Sequence, residues 1–70
     1  MKIIFTEHAE KQIRERKIEK RLIEETIKYA DKTRKAGKNK YYVCKKVNGF
    51  SIEVVYIREN YIKVITVYPV

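Results

Sequence analysis

Asn48-Gly49 most narrows what this chain can fold into. It separates two runs, KYYVCKKV and FSIEVVYI, that are rich in β-branched and aromatic residues. A two-residue hairpin turn needs positive φ at both central positions, which Asn and Gly accept most readily. Such a turn also fixes register. Val47 is predicted opposite Phe50, Lys45 opposite Ile52, Val43 opposite Val54 and Tyr41 opposite Tyr56. A third run, YIKVITVY, follows Arg58-Glu59-Asn60 and predicts a second hairpin. Pairing Ile57 with Ile62 sets Val54 opposite Ile65 and Ile52 opposite Val67. One face of this meander then carries Tyr41, Val43, Val47, Phe50, Ile52, Val54, Tyr56, Ile65 and Val67, apolar enough to be the core. Lys45 interrupts it, which is tolerable near an edge if the stem packs and the ammonium escapes.

The other face carries Tyr42, Cys44, Lys46, Ser51, Glu53, Val55, Val64, Thr66 and Tyr68. In the predicted register Glu53 lies opposite Thr66, and Ser51 lies between Lys46 and Tyr68. The outer face of an antiparallel sheet is commonly just solvated. Here, however, a base, a cation, a hydroxyl and a phenol gather at one end of it.

Upstream, residues 2–5 have room for one short edge strand. Thr6 stands as an N-cap, with Glu7 and Glu10 in the first turn where the helix dipole favours acids. A first helix is expected over residues 7–16, with Ala9 and Ile13 on its buried stripe and His8 and Gln12 on the stripe beside it. A second helix is expected over residues 19–32, where Leu22, Ile23, Ile27 and Ala30 recur at helical spacing. Ile18 plugs the junction. Residues 32–40, KTRKAGKNK, read as a helix end, a Gly37 stop and an exposed basic loop. A cationic loop beside a sheet holds phosphates without reading sequence, and Arg34, Lys35, Lys38 and Lys40 are its candidates, with Arg14 and Lys46 elsewhere.

The expected architecture is α+β: two helices packed on one face of a small antiparallel sheet, a three-stranded meander plus a short N-terminal strand. Residues 1–70 are expected to form a single domain. One cysteine excludes an internal disulfide framework or a multi-cysteine zinc site. No metal or cofactor is expected, since one His, one Cys and scattered acids offer no ligand spacing. No apolar run approaches the ~20 residues that span a bilayer, and the start turns charged too soon for a signal peptide. An intact cytoplasmic protein is expected. Seventeen Lys and Arg against nine acids give a net charge of +8, which favours polyanionic partners such as nucleic acid or an acidic protein.

The opening T-E-H-A-E-K-Q-I-R-E-R-K-I resembles the start of a small uncharacterised-domain family with a pattern near S/T-x-H-A-x-x-R-M-x-E-R-G-I. The ending V-I-T-V-Y resembles that family's last strand, and the order of two helices followed by three strands is similar throughout. That family is grouped with the RelE/ParE-like toxins and, more widely, with the barnase, EndoU, colicin and RelE nuclease fold. The resemblance implies a RelE-like fold and a metal-independent endoribonuclease, or a relative of one, partnered by an antitoxin. By position, the family's helix histidine falls on His8, its arginine on Arg16 and its last-strand hydroxyl on Thr66. Three positions depart: Lys17 replaces a glycine, Gln12 stands where an arginine is frequent, and Glu19 replaces a Ser or Thr cap.

Metal-free RNA cleavage needs a base for the 2′-hydroxyl proton, a donor for the leaving 5′-oxygen and cations for the phosphorane. Histidine is the side chain whose ordinary pKa lies nearest neutrality, which makes His8 the first candidate acid or base. Glu53 is the second candidate base. Arg16, Lys46 and Arg14 would hold the phosphate, while Thr66 and Tyr68 would hydrogen-bond it or position the ribose. The expected partners are RNA, including RNA on the ribosome, and an acidic antitoxin. The alternative is a non-catalytic RNA-binding or protein-interaction module that keeps the fold.

Overall fold

The computed structural model describes residues 2–70. Thr6 caps the first helix as its sequence context requires: its side-chain oxygen accepts from the Ala9 N–H at 3.1 Å. The elements in order are β1 (Ile3–Phe5), α1 (Glu7–Arg16), α2 (Lys20–Lys28), β2 (Lys32–Lys35), β3 (Lys40–Val47), β4 (Phe50–Arg58) and β5 (Ile62–Pro69). The strands form one five-stranded sheet in the order β1-β5-β4-β3-β2. All neighbours are antiparallel except β1 and β5, so the sheet is mixed. This is the expected α+β arrangement, with one strand more than the sequence suggested.

The Asn48-Gly49 turn forms as predicted, with φ of 45° and 89° at its two residues. The β3–β4 register matches the prediction pair for pair from Val47↔Phe50 to Tyr41↔Tyr56. Lys45 resolves its conflict as anticipated for a half-buried stem. Its ammonium donates to the Tyr29 carbonyl at 3.3 Å, just past the end of α2, where the helix dipole welcomes a cation.

The β4–β5 register differs from the prediction. Arg58, not Ile57, faces Ile62, and Tyr56 faces Val64. Beyond Val64 the pairing slips, so that Val55 faces Thr66, Val54 faces Val67, Glu53 faces Tyr68 and Ile52 faces Pro69. Ile65 is the extra residue, a β-bulge. The physical reason lies in the spacing of the apolar residues. Ile62, Val64 and Val67 are all buried against the core, and no unbroken alternation can turn all three inward. Burying one such side chain is worth roughly 1.5–3 kcal/mol, enough to favour the bulge. Val64 therefore joins the core and Ile65 is only half-buried, the reverse of the expectation for both.

The segment read as a basic loop is partly a strand. α2 stops at Lys28, short of the expected residue 32, and Lys32–Lys35 pairs with β3 as the edge of the sheet. The Asp31 N–H donates to the Cys44 carbonyl at 2.9 Å, and its carboxylate accepts from the Lys46 N–H at 2.9 Å. These two bonds turn the chain out of the helix and into the ladder. Gly37, with φ 91°, sits in the turn that follows.

Both helices cover one face of the sheet. Ala9, Ile13, Ile18 and Ile23 meet Val43, Ile52, Val54, Tyr56, Ile62, Val64 and Val67 in one apolar cluster. Thr26 is fully buried in α2, its hydroxyl satisfied by the Leu22 carbonyl at 2.7 Å. α1 also closes the far half of the β5 edge, which the short β1 leaves uncovered. Thr6 Oγ1 donates to the Ile65 carbonyl at 3.4 Å, and Gln12 Oε1 accepts from the Val67 N–H at 2.9 Å. No helix among the described residues is long and apolar enough to cross a membrane.

Candidate active site

Helices cover one face of the sheet, and the opposite face is open. Cross-strand partners point to the same side, so the register assembles this open face in rows. Lys32, Cys44, Glu53 and Tyr68 make one row, and Arg34, Tyr42, Val55 and Thr66 make the next. Lys46 and Ser51 flank the first row, while Lys40, Ile57, Lys63 and Ile4 follow the second. Val55 is buried although it faces away from the helices, in a row between Tyr42 and Thr66.

The bulge at Ile65 decides what Glu53 meets. The predicted register set Glu53 opposite Thr66 and Ser51 opposite Tyr68. Instead Glu53 faces Tyr68, and the Tyr68 hydroxyl donates a hydrogen bond to Glu53 Oε2. That bond, followed by desolvation and the carboxylate's charge, raises the Tyr68 phenol above its ordinary value, while Arg34 pulls it down. Tyr68 is therefore a neutral donor at physiological pH. Glu53 lines a cleft of about 520 Å³ with Lys32, Thr33, Arg34, Tyr42 and Cys44. The Arg34 guanidinium lies 4.5 Å from the centre of the Tyr42 ring, and the Lys40 ammonium lies 5.6 Å from it. A carboxylate that accepts from a phenol thus lines a cleft together with Lys32 and Arg34.

On the helix side of the sheet, Tyr41 stacks on Tyr56 with ring centres 5.4 Å apart, and the Lys35 ammonium lies 5.7 Å from the Tyr41 ring. Burial raises the Tyr56 phenol, opposed by the charge of Arg58.

The sequence-predicted residues divide accordingly. Glu53, Thr66, Tyr68, Arg34, Lys40 and Lys46 all belong to the open face. Lys35 belongs to the other side of β2, and Lys38 is exposed in the turn after it. His8, Arg14 and Arg16 lie on α1, in the helical layer, and all three are exposed. His8 and Arg14 border a separate concavity with Phe5, Glu7, Glu10 and Lys11. His8 and Arg16 flank Gln12 at four-residue spacing, so they share the helix stripe that runs along the β5 edge. None of the hydrogen bonds among the described residues joins them to Glu53, Thr66 or Tyr68. The sequence reading set Tyr42 and Cys44 on the same face as Glu53 but did not bring Lys32 and Thr33 to them, because that convergence needs β2 in the sheet. It also left Gln12 without a role, although a buried amide on a helix beside a half-covered strand edge is suited to one.

Among the described residues no three His, Cys, Asp or Glu side chains converge as a metal site would require. A family model described as "Domain of unknown function (DUF4258)" matches residues 5–69. No curated protein matches the chain, and neither does any solved structure.

Proposed function

The chain belongs to the DUF4258 family, and from that premise we propose that it is a metal-independent endoribonuclease of the RelE-like toxin type. The observation that carries this reading is the hydrogen bond between Glu53 and Tyr68 in a cleft rimmed by Lys32 and Arg34. Glu53 takes the proton of an RNA 2′-hydroxyl. The 2′-oxygen bonds to phosphorus as the bond from phosphorus to the 5′-oxygen breaks. Tyr68 gives its proton to that leaving oxygen and regains one from Glu53 through their hydrogen bond. The products are a 2′,3′-cyclic phosphate and a 5′-hydroxyl. Arg34 and Lys32 offset the charge that builds on the phosphorane, and Thr66, in the adjoining row, orients the ribose. His8 and Arg16, on the α1 stripe beside β5, engage the RNA chain next to the scissile phosphate. The partners that follow from this reading are RNA, free or on the ribosome, and an acidic antitoxin in the cytoplasm.

Labelled single-stranded RNA incubated with the protein in EDTA tests it, followed by the same assay on translating ribosomes. Cyclic-phosphate ends are expected, with Glu53→Gln slowing cleavage about a hundredfold or more, as loss of a general base does. Glu53→Gln should retain RNA affinity. Absence of cyclic ends with both substrates, or wild-type rates in both Glu53→Gln and Tyr68→Phe, overturns the proposal.

A second reading, a non-catalytic RNA-binding module, is favoured by the two cations on the Tyr42 ring and the ammonium near Tyr41. It predicts no cleavage, affinity that falls steeply with salt, and weakening when Lys35, Lys38 and Lys40 are neutralised.

A further inference from the structure

The β2 edge of the sheet has free backbone groups and a distinctive charge. The Ala36 N–H donates to the Lys40 carbonyl, so Ala36 and Lys40 form a hydrogen-bonded pair. Alternation along an antiparallel ladder then points the backbone of Arg34 and Lys32 inward to β3. Thr33 and Lys35 turn their N–H and C=O groups outward, where no strand follows. All four β2 side chains are exposed. Lys32 and Arg34 project to the open face, over the cleft, and Thr33 and Lys35 project to the other side.

We propose that this edge docks an acidic extended peptide as a sixth, antiparallel strand, whose carboxylates neutralise Lys32 and Arg34 and close the cleft. Three cations in four residues supply the charge complementarity. The same charges reject a second copy of the chain. Any antiparallel pairing of two β2 edges sets Lys32 against Arg34, Arg34 against Arg34, or Lys35 against Lys35, and like charges directly opposite are destabilising. Positive charge on an edge strand is a general guard against self-association. Here it also selects the partner. The incoming strand exchanges paired hydrogen bonds with Thr33 and Lys35, and the residues facing Lys32 and Arg34 extend over the open face. Strand addition of this kind takes its affinity from the main chain and its specificity from alternate side chains. Docking is independent of the ribonuclease reading. That docking silences RNA cleavage rests on it.

The probe is a synthetic six-residue peptide with Glu at the positions facing Lys32 and Arg34 and Val between them. Amide hydrogen exchange and NMR shifts of the intact protein are followed during its titration. Slowed exchange confined to the Thr33 and Lys35 amides is expected. N-methylation of the peptide at the residues facing Thr33 and Lys35 leaves its charge intact and should weaken binding about tenfold or more. Thr33→Pro removes an outward N–H that β3 does not use, a place where an edge strand tolerates proline, and should weaken it similarly. Because the methylated peptide is tested on the wild-type protein, folding of the variant does not decide the outcome. Equal binding of methylated and unmodified peptides overturns the proposal and leaves charge adsorption alone. Edge docking without any RNA cleavage refutes the ribonuclease reading only. Cleavage unaffected by a fully docked peptide refutes the silencing.

Discussion

Glu53 and Tyr68 test the central geometry without presupposing a substrate. Removing the phenol hydroxyl (Tyr68→Phe) or the whole carboxylate (Glu53→Ala) deletes one side of the hydrogen bond between them. A hydrogen bond to a charged group contributes about 1.5–3 kcal/mol when well shielded. Both residues are half-buried, with Glu53 lining an open cleft, and solvent screening brings the expected coupling down to about 1 kcal/mol. Four proteins are needed: wild type, each single variant and the double variant, unfolded by urea at neutral pH. The two single changes should sum to about 1 kcal/mol more than the double change costs. For a domain of this size each kcal/mol also moves Tm by roughly 4–8 °C. A coupling below about 0.3 kcal/mol, within the scatter of independent sites, would refute the bond and with it the proton path through Tyr68.

The same pair gives a pH dependence whose sign is fixed. Tyr68 is raised in the folded protein, first by its hydrogen bond to Glu53. The protonated phenol is therefore the form that folding favours. Its contribution to stability is complete below the unfolded tyrosine value of about 10 and is lost as pH rises through the higher folded value. Tyr56, raised by burial, pulls in the same direction. The difference between wild type and Tyr68→Phe isolates Tyr68. That difference should shrink above about pH 10, and a difference that grows there would contradict the assignment.

Two further substitutions probe the frame that holds the site. Lys17 ends α1 in the left-handed region, at φ 53° and ψ 45°, which costs a non-glycine residue roughly 1–2 kcal/mol. Lys17→Gly should stabilise by about 0.5–1 kcal/mol after the added freedom of the unfolded chain is subtracted, while Lys17→Ala, which keeps the Cβ, should be near neutral in the same urea titrations. Gln12→Leu keeps the side-chain bulk but strands the Val67 N–H, and should cost about 1–3 kcal/mol. Its signature is faster exchange of the Val67 amide, with the β3–β4 amides unaffected.

How far the sequence speaks depends on where the deciding interactions lie. The β3–β4 hairpin was legible because Asn48 and Gly49 set its register locally. Thr6 was legible as a cap for the same reason. β2 was not, because KTRK has no apolar alternation and is held by backbone bonds to β3 and by Asp31, neither of which leaves a periodic trace. Reading it as a loop dispersed Lys32 and Arg34, which the strand places on one side of the sheet. Lys17 stands where the resembling family has glycine, and its positive φ supplies the reason for that glycine. Gln12, noted only for not being arginine, is the acceptor for Val67. An arginine has no acceptor to offer that amide.

The bulge at Ile65 is where core and site are settled together. Ile62 and Val64 follow one alternation and Val67 follows the other, so a regular strand would expose at least one of them. Inserting Ile65 as the unpaired residue turns all three inward. It also leaves Thr66 and Tyr68 facing outward and moves Tyr68 from opposite Ser51 to opposite Glu53. Thr6 holds the irregular segment from the other side, its N–H on the Val64 carbonyl and its hydroxyl on that of Ile65. The residue that starts α1 thus also steadies the bulge. The carboxylate–phenol contact follows from how the core is filled, with no separate element devoted to it. Changes at Ile62, Val64 or Val67 that relax the need for the bulge would therefore separate Glu53 from Tyr68 while leaving both residues in place.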